Sequence, residues 1–134
     1  MKIKRGAVRN DGFRFNGYGA SGKEHWLSPK IFDDINAKHQ ILRWKNKIKV
    51  IAAYGGGCAN CGEKDPRVLN VDHVENDGKN HVGSTGRRVT GNSLYSYLIK
   101  ENFPAHRFQI LCANCNQRKE WLRRGAYYEE MQCN

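Results

Sequence analysis

The chain has 134 residues, enough for one ordinary domain or a small domain with an extension. Hydrophobic residues make up 39% and mean hydropathy is −0.78, so the core is modest and calls for a staple. Net charge is +10, and the longest purely apolar run, Val50-Ile51-Ala52-Ala53-Tyr54, is far too short for a membrane span.

The charge is unevenly spread: residues 1 to 50 hold 12 Lys/Arg against 4 Asp/Glu, the rest 11 against 9. A basic arm of this kind is the electrostatic footprint of a polyanion partner, with a merely solvated surface as the plainer alternative. The opening MKIKRGAVRNDG is charged and lacks the apolar stretch of a secretory signal. The expected location is therefore cytoplasmic, where thiols stay reduced and paired cysteines favour metal over disulfide.

Residues 1 to 27 are Gly-rich and aromatic, with Phe13 and Phe15 flanking Arg14, and predict a short strand or hairpin followed by a loop. Within them GYGASGKE, residues 17 to 24, nearly spells a phosphate-binding loop. Glu24 stands where a hydroxyl is required and no hydrophobic strand leads in, so a nucleotide site is not expected. Ser28-Pro29 is a helix start. Ile31, Phe32, Ile35, Ile41, Leu42, Ile48 and Ile51 then recur near helical spacing until Gly55-Gly56-Gly57 stops the pattern. One long helix or two joined near residues 37 to 40 are equally allowed. Lys38, Arg43, Lys45, Lys47 and Lys49 make the segment basic, either as a solvated face or as contacts to a DNA backbone.

Val68, Leu69 and Val71 predict a strand leading into Asp72, and Asn76-Asp77-Gly78 a tight turn. A short helix is expected from Leu94 to Glu101, a strand from Phe108 to Leu111, and a last helix from about Asn116 to Arg124. The resulting domain plan is an N-terminal extension over residues 1–50 and a metal-stapled domain over residues 51–134.

Cys58-Ala59-Asn60-Cys61 and Cys112-Ala113-Asn114-Cys115 are two C-x-x-C pairs. Each gap turns both sulfurs to one ion, and two such knuckles complete a tetrahedral thiolate shell for one structural zinc with no open position. Redox motifs of this spacing come singly and in a different strand–helix context. Fifty residues separate the pairs, so an inserted loop is expected to protrude between them. Cys133 is left over and is expected to be a free thiol.

Zinc closing this loop would fold Asp72-His73 back onto the helix that starts at Asn116. A carboxylate at Asp72 and an amide oxygen at Asn116 suit one hard divalent cation, magnesium or manganese. Neighbouring strand residues face opposite sides, so His73 would stand across from the ion, a largely neutral base at pH near 7.

VDHVENDGKNH, followed by FQILCANCNQRK at 108 to 119, resembles the HNH endonucleases, also called ββα-metal or His-Me finger nucleases. It is most similar to their zinc-containing branch that includes phage recombination endonuclease VII. The resemblance covers roughly Cys58 to Arg124. It implies an α+β, zinc-stapled, treble-clef-like nuclease domain with a basic helical N-terminal extension. His73 would be general base, Asp72 and Asn116 the ligands of one magnesium or manganese, and Cys58, Cys61, Cys112 and Cys115 the zinc cage. DNA phosphodiesters would be hydrolysed to 5′-phosphate products, and a homodimer would cut both strands. The family's final His is Asn116 here, and its middle Asn corresponds to Arg107. His81 is either a contact to the scissile phosphate or metal, or a surface histidine. Lys119 and Arg123 on the last helix, and Arg87 and Arg88 in the inserted loop, are candidates to hold DNA. Two rivals leave the Asp-His pair as coincidence: a non-catalytic zinc-containing nucleic-acid-binding module, and an RNA-binding zinc ribbon.

Overall fold

The structure, a computed structural model, describes residues 1–125; Cys133 lies outside them. It is α+β, with two small antiparallel sheets of two strands each and three helices. The chain divides into two compact units, Met1–Leu42 and the residues from Arg43 on.

In the first unit, β1 (Arg14–Tyr18) pairs with β2 (Glu24–Leu27) across a register shift between Phe15 and Gly17. Phe15 is buried and meets Trp26 and Tyr18 edge-on at 5.3 and 4.9 Å, the geometry that the ring quadrupoles favour. The guanidinium of Arg5 lies 5.4 Å over the Phe32 ring and donates at 3.1 Å to both Asn16 and Asn36. The stretch that nearly spells a phosphate loop is the hairpin turn between β1 and β2. Gly19 N–H donates to the Lys23 carbonyl at 2.8 Å, and a strand follows where a phosphate loop needs a helix.

Pro29–Ala53 is one continuous helix, α1, so the joint allowed near residues 37 to 40 does not form. It ends where Gly55 N–H and Gly56 N–H turn back to the carbonyls of Ala52 and Ile51. Both glycines have positive φ, 101° and 78°, a conformation that favours residues without a Cβ.

In the second unit β3 (Leu69–His73) pairs with β4 (Phe108–Cys112), setting Leu69 opposite Cys112, Asp72 opposite Gln109 and His73 opposite Phe108. Helix α3 (Ala113–Arg123) follows β4 without a linker, three residues earlier than the sequence predicts. Its N-cap is Cys112, whose Sγ accepts the Cys115 N–H at 3.4 Å, so the second C-x-x-C is itself the first turn.

The segment between the cysteine pairs is not a protruding loop. It carries β3, a short 3-10 turn (Gly78–Asn80) and helix α2 (Gly91–Lys100). Leu94, Tyr95 and Leu98 of α2 are buried with Val50, Ile51, Leu69, Phe108, Ile110 and Leu111. The apolar i, i+1, i+4 positions of α2 supply core that β3 and β4 alone lack, which is why the insertion packs inward.

Candidate functional site

The first knuckle is a turn in which Gly62 N–H donates to the Cys58 carbonyl and Cys58 N–H to that of Glu63. Ala59 N–H then donates to the Ile110 carbonyl at 2.8 Å, docking this knuckle on β4 just before the second. The ligand atoms of Cys58, Cys61, Cys112 and Cys115 all lie within 4.8 Å of one another, and Cys61 Sγ is 3.6 Å from Cys112 Sγ. A disulfide needs about 2.0 Å. Four sulfurs at about 2.3 Å around a tetrahedral ion lie about 3.8 Å apart, so the set is positioned to hold a metal ion and suits zinc. Asn60 Nδ2 donates to Cys115 Sγ at 3.3 Å, the type of outer contact that supports a thiolate ligand.

Beyond the knuckles lies a cleft of about 360 Å³ whose lining includes Asp72, His73, Arg88, Asn116, Glu120 and Arg123. Asp72 and His73 end β3, and Asn116 is the residue after Cys115 on α3, so the cysteine cluster fixes the two sides of the cleft relative to each other. Gln109 Nε2 and Lys119 Nζ both donate to Asp72 Oδ2, at 2.8 and 2.5 Å. Among the described residues no hydrogen-bond donor reaches Oδ1, in a side chain that is 10% exposed. A carboxylate oxygen without such a donor, sharing a cleft with an amide, fits the oxygen donors that magnesium or manganese takes.

Lys119 departs from its expected place beside Arg123 on a DNA-facing surface. Its ammonium is turned inward, donating also to the carbonyls of His73 at 2.7 Å and Val74 at 3.1 Å. All three of its donors are thus taken by the end of β3 and the residue after it. Arg123 instead pairs with Glu120, as does Arg124, and hydrogen bonds from those two guanidiniums bring the Glu120 carboxyl down to about 2. Arg87 and Arg88 are exposed, as are Lys45 and Lys49. Lys47 is half-buried, its ammonium 5.7 Å over the Trp44 ring.

His81 is not a surface histidine: it is 7% exposed, its Nδ1 is 3.2 Å from His73 Nε2, and its ring meets Tyr97 edge-on at 4.7 Å. Arg107 makes two contacts beside this pair. Its carbonyl accepts the Val74 N–H and its guanidinium lies 3.5 Å from Asp77. Burial lowers the pKa of both histidines below the ordinary imidazole value, with the Asp77 charge acting against it in each. The sequence marks the Asp-His pair and the cysteines. It carries no signal for Gln109 or Lys119 on Asp72, or for the burial of His81, because these contacts join distant positions without a periodic pattern.

No protein-family model, curated protein or solved structure matches this chain. Among the described residues no helix is long and apolar enough to cross a membrane.

Two outcomes follow from this geometry. Metal analysis of natively purified protein should give one zinc per chain, and Cys58→Ser or Cys112→Ser should abolish cooperative unfolding of the second unit, since structural zinc contributes folding free energy directly. A metal-free chain with the fold intact would contradict it. The second outcome concerns acid. His81 is held neutral by burial, so below about pH 6.5 the unfolded chain takes up a proton that the folded chain resists, and stability falls with pH. Denaturant titration should show wild type losing stability relative to His81→Phe on acidification, a comparison in which loss of cysteine-bound metal cancels. Parallel profiles would show that His81 is not held neutral.

Proposed function

We propose that the chain is a metal-dependent endonuclease of the HNH, ββα-metal type that hydrolyses DNA phosphodiester bonds. The observation that carries this reading is that Asp72, whose Oδ1 meets no donor among the described residues, lines one cleft with His73 and Asn116, between β3 and α3. On this reading β3, β4 and α3 are the ββα unit, and a zinc ion at the four cysteines holds it without taking part in the chemistry.

His73 takes a proton from the attacking water. Its lowered pKa keeps the imidazole neutral and ready to accept one near pH 7. Asp72 Oδ1 and the Asn116 amide oxygen would hold magnesium or manganese, which supplies charge stabilisation at the phosphate and the departing 3′ oxygen. Lys119 and Gln109 fix the Asp72 carboxylate through Oδ2, so its other oxygen is presented without side-chain reorganisation. Arg88 and Arg123 line the cleft and place positive charge where a phosphate would enter. Cleavage on the 3′-oxygen side leaves a 5′-phosphate. Lys45, Lys47 and Lys49 add sequence-independent contacts to the DNA backbone.

One observation favours a second reading, a non-catalytic zinc module that binds nucleic acid. Lys119 ties Asp72 and the carbonyls of His73 and Val74 to α3, and the side chains of Asp72 and Lys119 are only 10% and 23% exposed. Such a pair would also serve purely to fix the helix.

Supercoiled plasmid with and without magnesium separates the two readings. His73→Ala should bind DNA with near wild-type affinity and cleave about 10²- to 10⁴-fold more slowly, the usual worth of a positioned base. Asp72→Asn keeps acceptors for Lys119 and Gln109 while removing the charge, so it should fold normally and regain part of its rate at higher magnesium. If His73→Ala cuts as fast as wild type, the base is another group. If wild type cuts nothing with magnesium or manganese, the binding module is the function.

A further inference from the structure

We propose that His81 is the positioning residue of His73: its Nδ1 accepts the Nε2–H of His73, which leaves the Nδ1 lone pair of His73 facing the cleft. The consequence for cleavage rests on the endonuclease reading, whereas the pairing stands on geometry alone.

The two ring nitrogens of a histidine are not equivalent, because a hydrogen bond at one fixes which of them carries the proton. Here the only side-chain partner at His73 Nε2 among the described residues is His81 Nδ1, at 3.2 Å. His73 Nδ1 lies on the other edge, against Gly78, and Gly78 lines the cleft. A Cβ at Gly78 would sit 2.9 Å from Nδ1, closer than such contacts occur, so a side chain there would cover the atom that has to meet water. Gly78 has no left-handed φ to explain the glycine, and the approach of the His73 ring explains it instead.

His81 itself is held from several sides. Its N–H donates to the Gly78 carbonyl at 3.2 Å and its carbonyl accepts the Val89 N–H at 2.8 Å. Its ring lies edge-on to Tyr97 at 4.7 Å, and the His73 ring is edge-on to Phe108 at 4.9 Å. Both imidazole planes are therefore fixed by aromatic neighbours on α2 and β4. The alternative tautomer, with His81 Nδ1–H donating to His73, would put the His73 proton on Nδ1 and leave no base at the cleft.

The test reads the tautomer and the rate separately. Imidazole-nitrogen NMR of the full chain as purified, at about pH 8 where both rings are neutral, should show His73 protonated on Nε2 and bare on Nδ1. His81→Phe keeps the ring and its packing but removes the acceptor. It should convert His73 to a tautomer mixture and lower kcat for magnesium-supported plasmid cleavage about 10- to 100-fold, the usual worth of a partner that orients an imidazole, with KM unchanged. His81→Asn places Oδ1 where Nδ1 was and should restore both the tautomer and part of the rate. A wild-type His73 protonated on Nδ1 overturns the proposal, as does a His81→Phe protein with unchanged tautomer and kcat. If the tautomer responds as expected but wild type cleaves no DNA, the pairing stands and the endonuclease reading fails.

Discussion

Everything in the second unit depends on four sulfurs meeting at one point. Three of the four cysteines are buried and their Sγ atoms crowd within 4.8 Å, an arrangement in which thiolates repel one another unless a cation sits among them. The core beside them is small, and only a handful of its side chains are fully buried. Small domains of this kind use a metal to supply what apolar burial does not. The cluster also acts as a geometric device. It joins the turn after α1 to the junction of β4 and α3, and so sets where α3 starts.

That starting point governs the cleft. With Cys112 as N-cap and Cys115 in the first turn, Asn116 and Lys119 follow at helical intervals of three to four residues from the staple. Lys119 reaches back to β3 and takes one oxygen of Asp72, while Gln109 reaches the same oxygen from the neighbouring strand. The carboxylate is thus held through Oδ2, and among the described residues no donor reaches Oδ1. At the end of β3 the aromatic neighbours Phe108 and Tyr97 hold the His73–His81 pair. The carboxylate and the imidazole line the same cleft, and each has its own support.

Local chemistry made much of this readable from the chain. The C-x-x-C spacing, the Ser28-Pro29 start of α1, its glycine stop and the strand around Leu69 are short-range signals, and each element appears where such signals place it. What failed to show was long-range. The 50-residue separation of the cysteine pairs suggested a protruding loop, because no local rule says that Leu94, Tyr95 and Leu98 find a core completed by Val50 and Ile51. Lys119 looked like one of many surface cations until the end of β3 and Val74 after it placed a carboxylate and two carbonyls within its reach. His81, eight residues after His73, carries no helical or strand periodicity towards it, and only the turn at Gly78 brings the rings together.

On the proposed function, the stapled β3–β4–α3 unit presents Asp72 and Asn116 as one cation site. Paramagnetic broadening by manganese(II), added stepwise to isotope-labelled full chain without DNA, tests it most directly. The side-chain amide of Asn116 and the backbone amides of Asp72 and His73 should broaden first, and Asp72→Asn should remove the effect while the remaining spectrum is retained. Broadening confined to other surfaces, such as the acidic turn at Glu63 and Asp65, with Asn116 untouched, would contradict it.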